Sequence, residues 1–156
     1  MSTKLKSQNP IIEPKMKKIL LALITFYFLA LTINAEETMY KNPGCMCCDR
    51  WVEHMNENGF DIGITPSEKM NELKIALGIP EQVRGCDTTV IDGIIVEGHV
   101  PADLVQRILR ERPEGITGIS IPNMPMGSPG MEGAYKEEYP VVVFDAKGKI
   151  SIYEMR

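Results

Sequence analysis

The sequence predicts an α/β domain over residues 36–156, and three observations carry that expectation. Short stretches rich in β-branched and aromatic residues alternate along the chain with stretches whose apolar residues recur every three or four positions. Asp92-Gly93 sits between two apolar runs as tight hairpin-turn chemistry. Three of the four cysteines crowd into Cys45-Met46-Cys47-Cys48, where the first strand pattern stops and the first helix pattern starts.

In order, Thr38–Lys41 reads as a strand, and Asn42-Pro43-Gly44 is turn chemistry. A helix is expected from Cys47 or Cys48 to Asn58, with Cys48, Trp51, Val52 and Met55 on one face and Asn58-Gly59 as its stop. Phe60–Ile64 alternates as a second strand. Glu68–Leu77 reads as a second helix, with Met70, Leu73, Ile75 and Leu77 as its apolar positions, ended by Gly78-Ile79-Pro80. Val83–Cys86 reads as a loop. Thr88–Ile91 and Ile94–Gly98 form a hairpin, and Val100-Pro101-Ala102-Asp103 opens a third helix with Leu104, Val105, Ile108 and Leu109 as its stripe. Strand, helix, strand, helix, hairpin, helix is a thioredoxin-like order (β-α-β-α-β-β-α). Beyond it, Ile116–Gly133 reads as a loop rich in Pro, Gly and Met, and Tyr139–Phe144 with Lys149–Tyr153 as an added C-terminal hairpin.

Residues 1–35 read as a separate segment. Lys15, Lys17 and Lys18 precede an apolar run, Ile19–Ile33, which ends at Ile33-Asn34-Ala35. A basic flank, an apolar run short of the roughly 20 residues of a comfortable membrane span, and a small residue at its end describe a secretory signal peptide. An uncleaved anchor is the alternative, and Met16 is a second candidate initiator. The expected product is a periplasmic or otherwise exported domain, 36–156, without stable membrane association.

Residues 1–35 hold five of the 17 Lys and Arg and one of the 21 Asp and Glu, leaving 12 against 20 in the domain, a net charge of about −8. That excludes nucleic acid and anionic membrane as natural partners, since phosphate binding needs a basic footprint. A domain of this size can be stable on its core alone. Clustered cysteines also close only short loops, which suits a structural disulfide framework poorly.

The cluster therefore reads as chemistry. Cys45 and Cys48 are spaced C-x-x-C at a helix N-terminus, where free backbone N–H groups and the helix dipole favour a thiolate. Cys47 adds a third thiol beyond the two that redox exchange requires. In a thioredoxin-like fold, Cys86 stands in the loop that faces that helix N-terminus, where oxidoreductases of this fold place a proline. His99 follows the hairpin and completes a candidate set of Cys45, Cys47, Cys48, Cys86 and His99. His54, two helical turns beyond Cys47, reads as a surface residue, and Trp51 as a core anchor shielding the cluster. Thiolates with imidazole suit Cu(I) or, as the alternative, zinc. Met46, Met124, Met126 and Met131 would be idle around zinc but are soft donors for copper. Adaptable packing is their alternative role.

The segments Tyr40–Trp51, Cys86-Asp87-Thr88-Thr89, Glu97-Gly98-His99-Val100-Pro101 and Met126–Glu132 together resemble the domain-of-unknown-function 411 family, whose members include a copper-resistance protein. The resemblance covers nearly all of the domain. It implies an exported, thioredoxin-like protein that handles copper in resistance to the metal. By motif match, Cys45, Cys47, Cys48 and Cys86 would be ligand thiols with His99 beside them. Three functions stay open: Cu(I) storage, singly or as a polynuclear cluster, in exchange with other periplasmic copper-handling proteins; thiol–disulfide or copper oxidation by Cys45 and Cys48; and a zinc-stabilised binding module.

Overall fold

The computed structural model describes residues 37–156; the leader expected over residues 1–35 lies outside them. The strands are β1 (Glu37–Lys41), β2 (Ile62–Pro66), β3 (Asp87–Ile91), β4 (Ile94–Glu97), β5 (Ile116–Ser120), β6 (Pro140–Asp145) and β7 (Ile150–Met155). The helices are α1 (Met46–Glu57), α2 (Met70–Ala76) and α3 (Ala102–Glu111). All seven strands join one mixed sheet in the order β2-β1-β3-β4-β5-β6-β7.

The expected order of elements is present through α3. β1 pairs parallel with β2 and antiparallel with β3, and β3 turns back on β4 through Asp92-Gly93. The spacing that predicts α1 buries its expected face, Cys48, Trp51, Val52 and Met55. β4 is buried at all four positions, because it lies inside the sheet and is covered on both faces.

Two expectations need correction. The stretch read as a loop from Ile116 contains β5, which runs parallel to β4 and antiparallel to β6. It bridges the β3–β4 hairpin and the C-terminal hairpin, so the latter extends the same sheet. Its signal is masked by Gly118, which looks like a breaker in sequence. A Cβ there would fall 2.2 Å from the Phe144 ring, so glycine is what lets that ring lie across the strand. The second correction lies in α2. Ile75 is exposed, while Lys74 is buried. Met70, Lys74 and Leu77 share a face by three- and four-residue spacing, and Ile75 falls off it.

The pairing directions make β1, β2, β4 and β5 finish at the same end of the sheet where β3 begins. The β1–α1 turn, the loop into β3, the β4–α3 turn and the long connection after β5 therefore meet there.

Candidate metal centre

At this end of the sheet the backbone brings distant cysteines together before any side chain acts. Lys41 lies opposite Asp87 in the β1–β3 ladder, and the Asn42 N–H donates to the Cys86 carbonyl at 3.1 Å. The Cys45 N–H then donates to the Asn42 carbonyl at 3.0 Å and closes the turn into α1. Lys41 is buried beneath the turn, donates to the Cys45 carbonyl at 2.8 Å and pairs with Asp49. β4 ends opposite Thr88, so Gly98 and His99 arrive beside Asp87. Gly98 turns there with φ +70, which glycine adopts without cost.

The result is four sulfurs in one small volume. Cys45 and Cys48 form a disulfide, and Cys47 and Cys86 are free. Cys86 Sγ stands 2.7 Å from Cys45 Sγ and 3.0 Å from Cys48 Sγ, and Cys47 Sγ is 3.2 Å from Cys45 Sγ. Cys48 is fully buried, and the other three are partly exposed. The four form one group whose ligand atoms all lie within 4.8 Å of one another. Cys48 and Cys86 belong also to a second such group, with Asp87 and His99.

His99 is fully buried and neither of its ring nitrogens has a hydrogen-bond partner. Its ring stacks against Trp51 with centroids 6.5 Å apart. Trp51, also fully buried, anchors the wall by donating its indole N–H to the Val100 carbonyl at 2.9 Å. Burial lowers the His99 pKa to about 4, against the opposing pull of the nearby Pro129 backbone and Glu132, so the ring is neutral at physiological pH and its lone pair is available. Burial, and then the Asp87 carboxylate, push the Cys86 thiol up. Asp87 is itself raised to about 7 by burial and by Glu97, while Lys74 pulls it back.

Asp87 is the site residue that sequence reasoning passed over. Its Oδ1 lies 3.6 Å from both Cys48 Sγ and Cys86 Sγ and 3.5 Å from His99 Nε2, and its Oδ2 is buried without a partner. The available signal was a carboxylate directly after a cysteine, at the mouth of a strand. Beneath it lies a second feature that was missed. The Lys74 ammonium pairs with the fully buried Glu97 and donates to Thr88 Oγ1 at 2.6 Å and to the Asp87 carbonyl at 3.1 Å. Glu97 also accepts from Thr88 Oγ1 at 2.7 Å and from the Gly85 N–H at 2.6 Å. This network fixes the Gly85-Cys86-Asp87 backbone from below.

The methionine loop divides. Met124 Sδ is 3.3 Å from Cys86 Sγ, and the residue adopts a left-handed φ of 45, uncommon for a non-glycine side chain. Met126 packs against Gly133. The loop is seated on α1 by Gly130, whose carbonyl accepts from Arg50 Nε at 3.0 Å. His54, read from sequence as a surface residue, is half-buried, and its Nε2 accepts the Ala102 N–H at 3.1 Å. It therefore satisfies the start of α3.

Fold and site together define an α/β protein with a Cys/His cluster that could bind a metal. The family model described as "Protein of unknown function, DUF411" matches residues 83–131, which include Cys86, His99 and the methionine loop. Solved structures of the copper resistance protein CopG, form 1 and form 2, are each 35% identical to this chain with a TM-score of 0.72. Each alignment covers 77% of this chain, and it covers 95% of form 1 and 96% of form 2. The chain belongs to the DUF411 family and is a relative of CopG. No curated protein sequence matches it.

Proposed function

We propose that the protein is an exported copper-resistance protein that holds Cu(I), singly or as a polynuclear cluster, through Cys45, Cys47, Cys48 and Cys86 with His99 beside them. The observation that carries this reading is the convergence of four sulfurs from two segments 38 to 41 residues apart into one volume. Four thiolates exceed what disulfide exchange uses, and soft sulfur donors select Cu(I) over harder ions. The Met124 thioether beside Cys86 supports copper over zinc, which would leave it idle. The relative's described role in copper resistance supports the same cargo. The apolar leader supports export, and the βαβαββα order supports a thioredoxin-like frame for the site.

The Cys45–Cys48 disulfide favours a second reading, thiol–disulfide or copper oxidoreduction at that pair. Anaerobic Cu(I) titration of the reduced chain with single Cys→Ser variants separates the two. Tight binding that needs at least three of the four thiols is the expected result. If Cys45→Ser and Cys48→Ser abolish thiol exchange while Cys47→Ser and Cys86→Ser leave Cu(I) affinity unchanged, the storage reading is wrong. Zinc retained through purification and not displaced by Cu(I) would instead make this a zinc module.

A further inference from the structure

A histidine held for a metal is ordinarily aimed by a hydrogen bond to its second ring nitrogen. His99 has none: both ring nitrogens are buried without a partner, and Asp87 Oδ1, 3.5 Å from Nε2, is not in hydrogen-bonding geometry. The ring is aimed instead by its own backbone and by the face of Trp51 on which it stacks. Whatever fixes that backbone therefore places the imidazole.

Two side chains of α1 do so. Trp51 donates its indole N–H to the Val100 carbonyl at 2.9 Å, and His54, three residues on, accepts the Ala102 N–H at 3.1 Å. Positions three apart are neighbours on a helix surface, so both bonds leave α1 toward the same short stretch of chain. They grip it one and three residues past His99. The Ala102 N–H opens α3 and has no acceptor within its own helix, and Pro101 before it supplies no side-chain cap. An imidazole from α1 takes that place. Accepting an N–H requires a lone pair on Nε2, so His54 carries its proton on Nδ1. The same helix holds Cys48, six residues before His54 and about 9 Å away along the axis. One rigid element thus fixes a sulfur of the cluster at one point and the His99 segment at another.

We propose that His54 is a positioning residue: its Nε2, with the Trp51 indole, fixes the Val100–Ala102 backbone and so holds the His99 imidazole at the sulfur cluster. His54 belongs to neither group of candidate ligand atoms, so it acts through the backbone and not as a donor to metal. The inference rests on the copper reading only in taking His99 for a ligand.

The test begins on the unmodified, reduced, metal-free chain. Nitrogen NMR is expected to place the His54 proton on Nδ1 and to show coupling across the hydrogen bond between the Ala102 amide and His54 Nε2. A proton on Nε2 with no such coupling overturns the proposal without any variant. His54→Leu removes the acceptor, and His54→Gln returns an oxygen at a similar reach. In His54→Leu the Ala102 amide should exchange at least about tenfold faster and the His99 ring signals should broaden or double, with both restored in His54→Gln. Cu(I) affinity, measured by competition titration of the reduced chains, is expected to fall at least about tenfold in His54→Leu, to recover in His54→Gln, and to be unmoved by His54→Leu where His99→Ala is already present. An equal loss in the His99→Ala background makes His54 merely structural and overturns the proposal, as do unchanged His99 ring signals in His54→Leu. The copper reading fails separately: an unmodified reduced chain that binds no Cu(I) overturns that reading, and the metal-free NMR measurements then decide the role of His54.

Discussion

Replacing Lys74 by methionine tests whether the cluster rests on a buried charge pair. Methionine keeps an unbranched apolar stem out to Cε, with sulfur in place of Cδ, and lacks the ammonium. The Lys74 side chain is 5% exposed and that of Glu97 is 0% exposed, so water cannot replace the lost partner. Removing one member of a buried pair costs about 3–5 kcal/mol, because the other charge stays behind without compensation. Glu97 would keep the Gly85 N–H and the Thr88 hydroxyl, which places the expected loss at the lower end, about 3 kcal/mol. A domain of this size has only about 5–15 kcal/mol to lose. Urea unfolding with the disulfide state held constant is the assay, read as a shift in midpoint at unchanged slope. Lys74→Met/Glu97→Gln removes both charges and is expected to recover at least half of the loss. A Lys74→Met loss below about 1 kcal/mol, or a double variant less stable than the single one, would refute the claim that charge pairing supports the Cys86 loop.

Other outcomes follow from the same geometry. In Gly130→Ala, the new Cβ would lie 2.6 Å from the Cys47 carbonyl oxygen at a φ of +80, so the methionine loop should lift from α1 at a cost of about 2–4 kcal/mol. Faster proteolysis within residues 121–138 reports that lifting, and wild-type stability and protection would contradict it. Met124→Leu keeps the volume and removes the sulfur. About a tenfold weaker Cu(I) affinity is expected with stability changed by less than about 1 kcal/mol, and an unchanged affinity in competition titration would limit Met124 to packing. The chain has one tryptophan, Trp51, stacked on His99. Its emission should fall as Cu(I) is added and level off at the ratio where binding saturates; emission indifferent to Cu(I) would separate the metal from the Trp51–His99 wall.

Most of the frame was legible in the sequence because its signals are local. α1, the β3–β4 hairpin and α3 follow from apolar spacing and from Asp92-Gly93. Cys45, Cys47, Cys48, Cys86 and His99 stood out by residue type, and the order of elements sufficed to expect them at one end of the sheet. The parts that stayed hidden depend on partners far along the chain. Lys74 interrupts an apolar stripe and Glu97 ends an apolar run, yet each looks solvated until the other is found 23 residues away. Asp87 was passed over because nothing local tells an exposed aspartate from a buried one. β5 was obscured because the ring that fills the space over Gly118 belongs to Phe144.

The β1–β3 register that sets Cys45 against Cys86 also has a mechanical consequence. The Cys45–Cys48 disulfide spans only three residues, so it barely restricts the unfolded chain. A metal ion shared by Cys45 and Cys86 would instead tie together points 41 residues apart, enclosing α1, β2 and α2 in one loop. Closing a loop of that length removes unfolded-state entropy equivalent to about 4 kcal/mol. Copper would then act as a removable cross-link: a loaded chain would resist unfolding and proteolysis, and a chain that had given up its metal would be the more easily cleared.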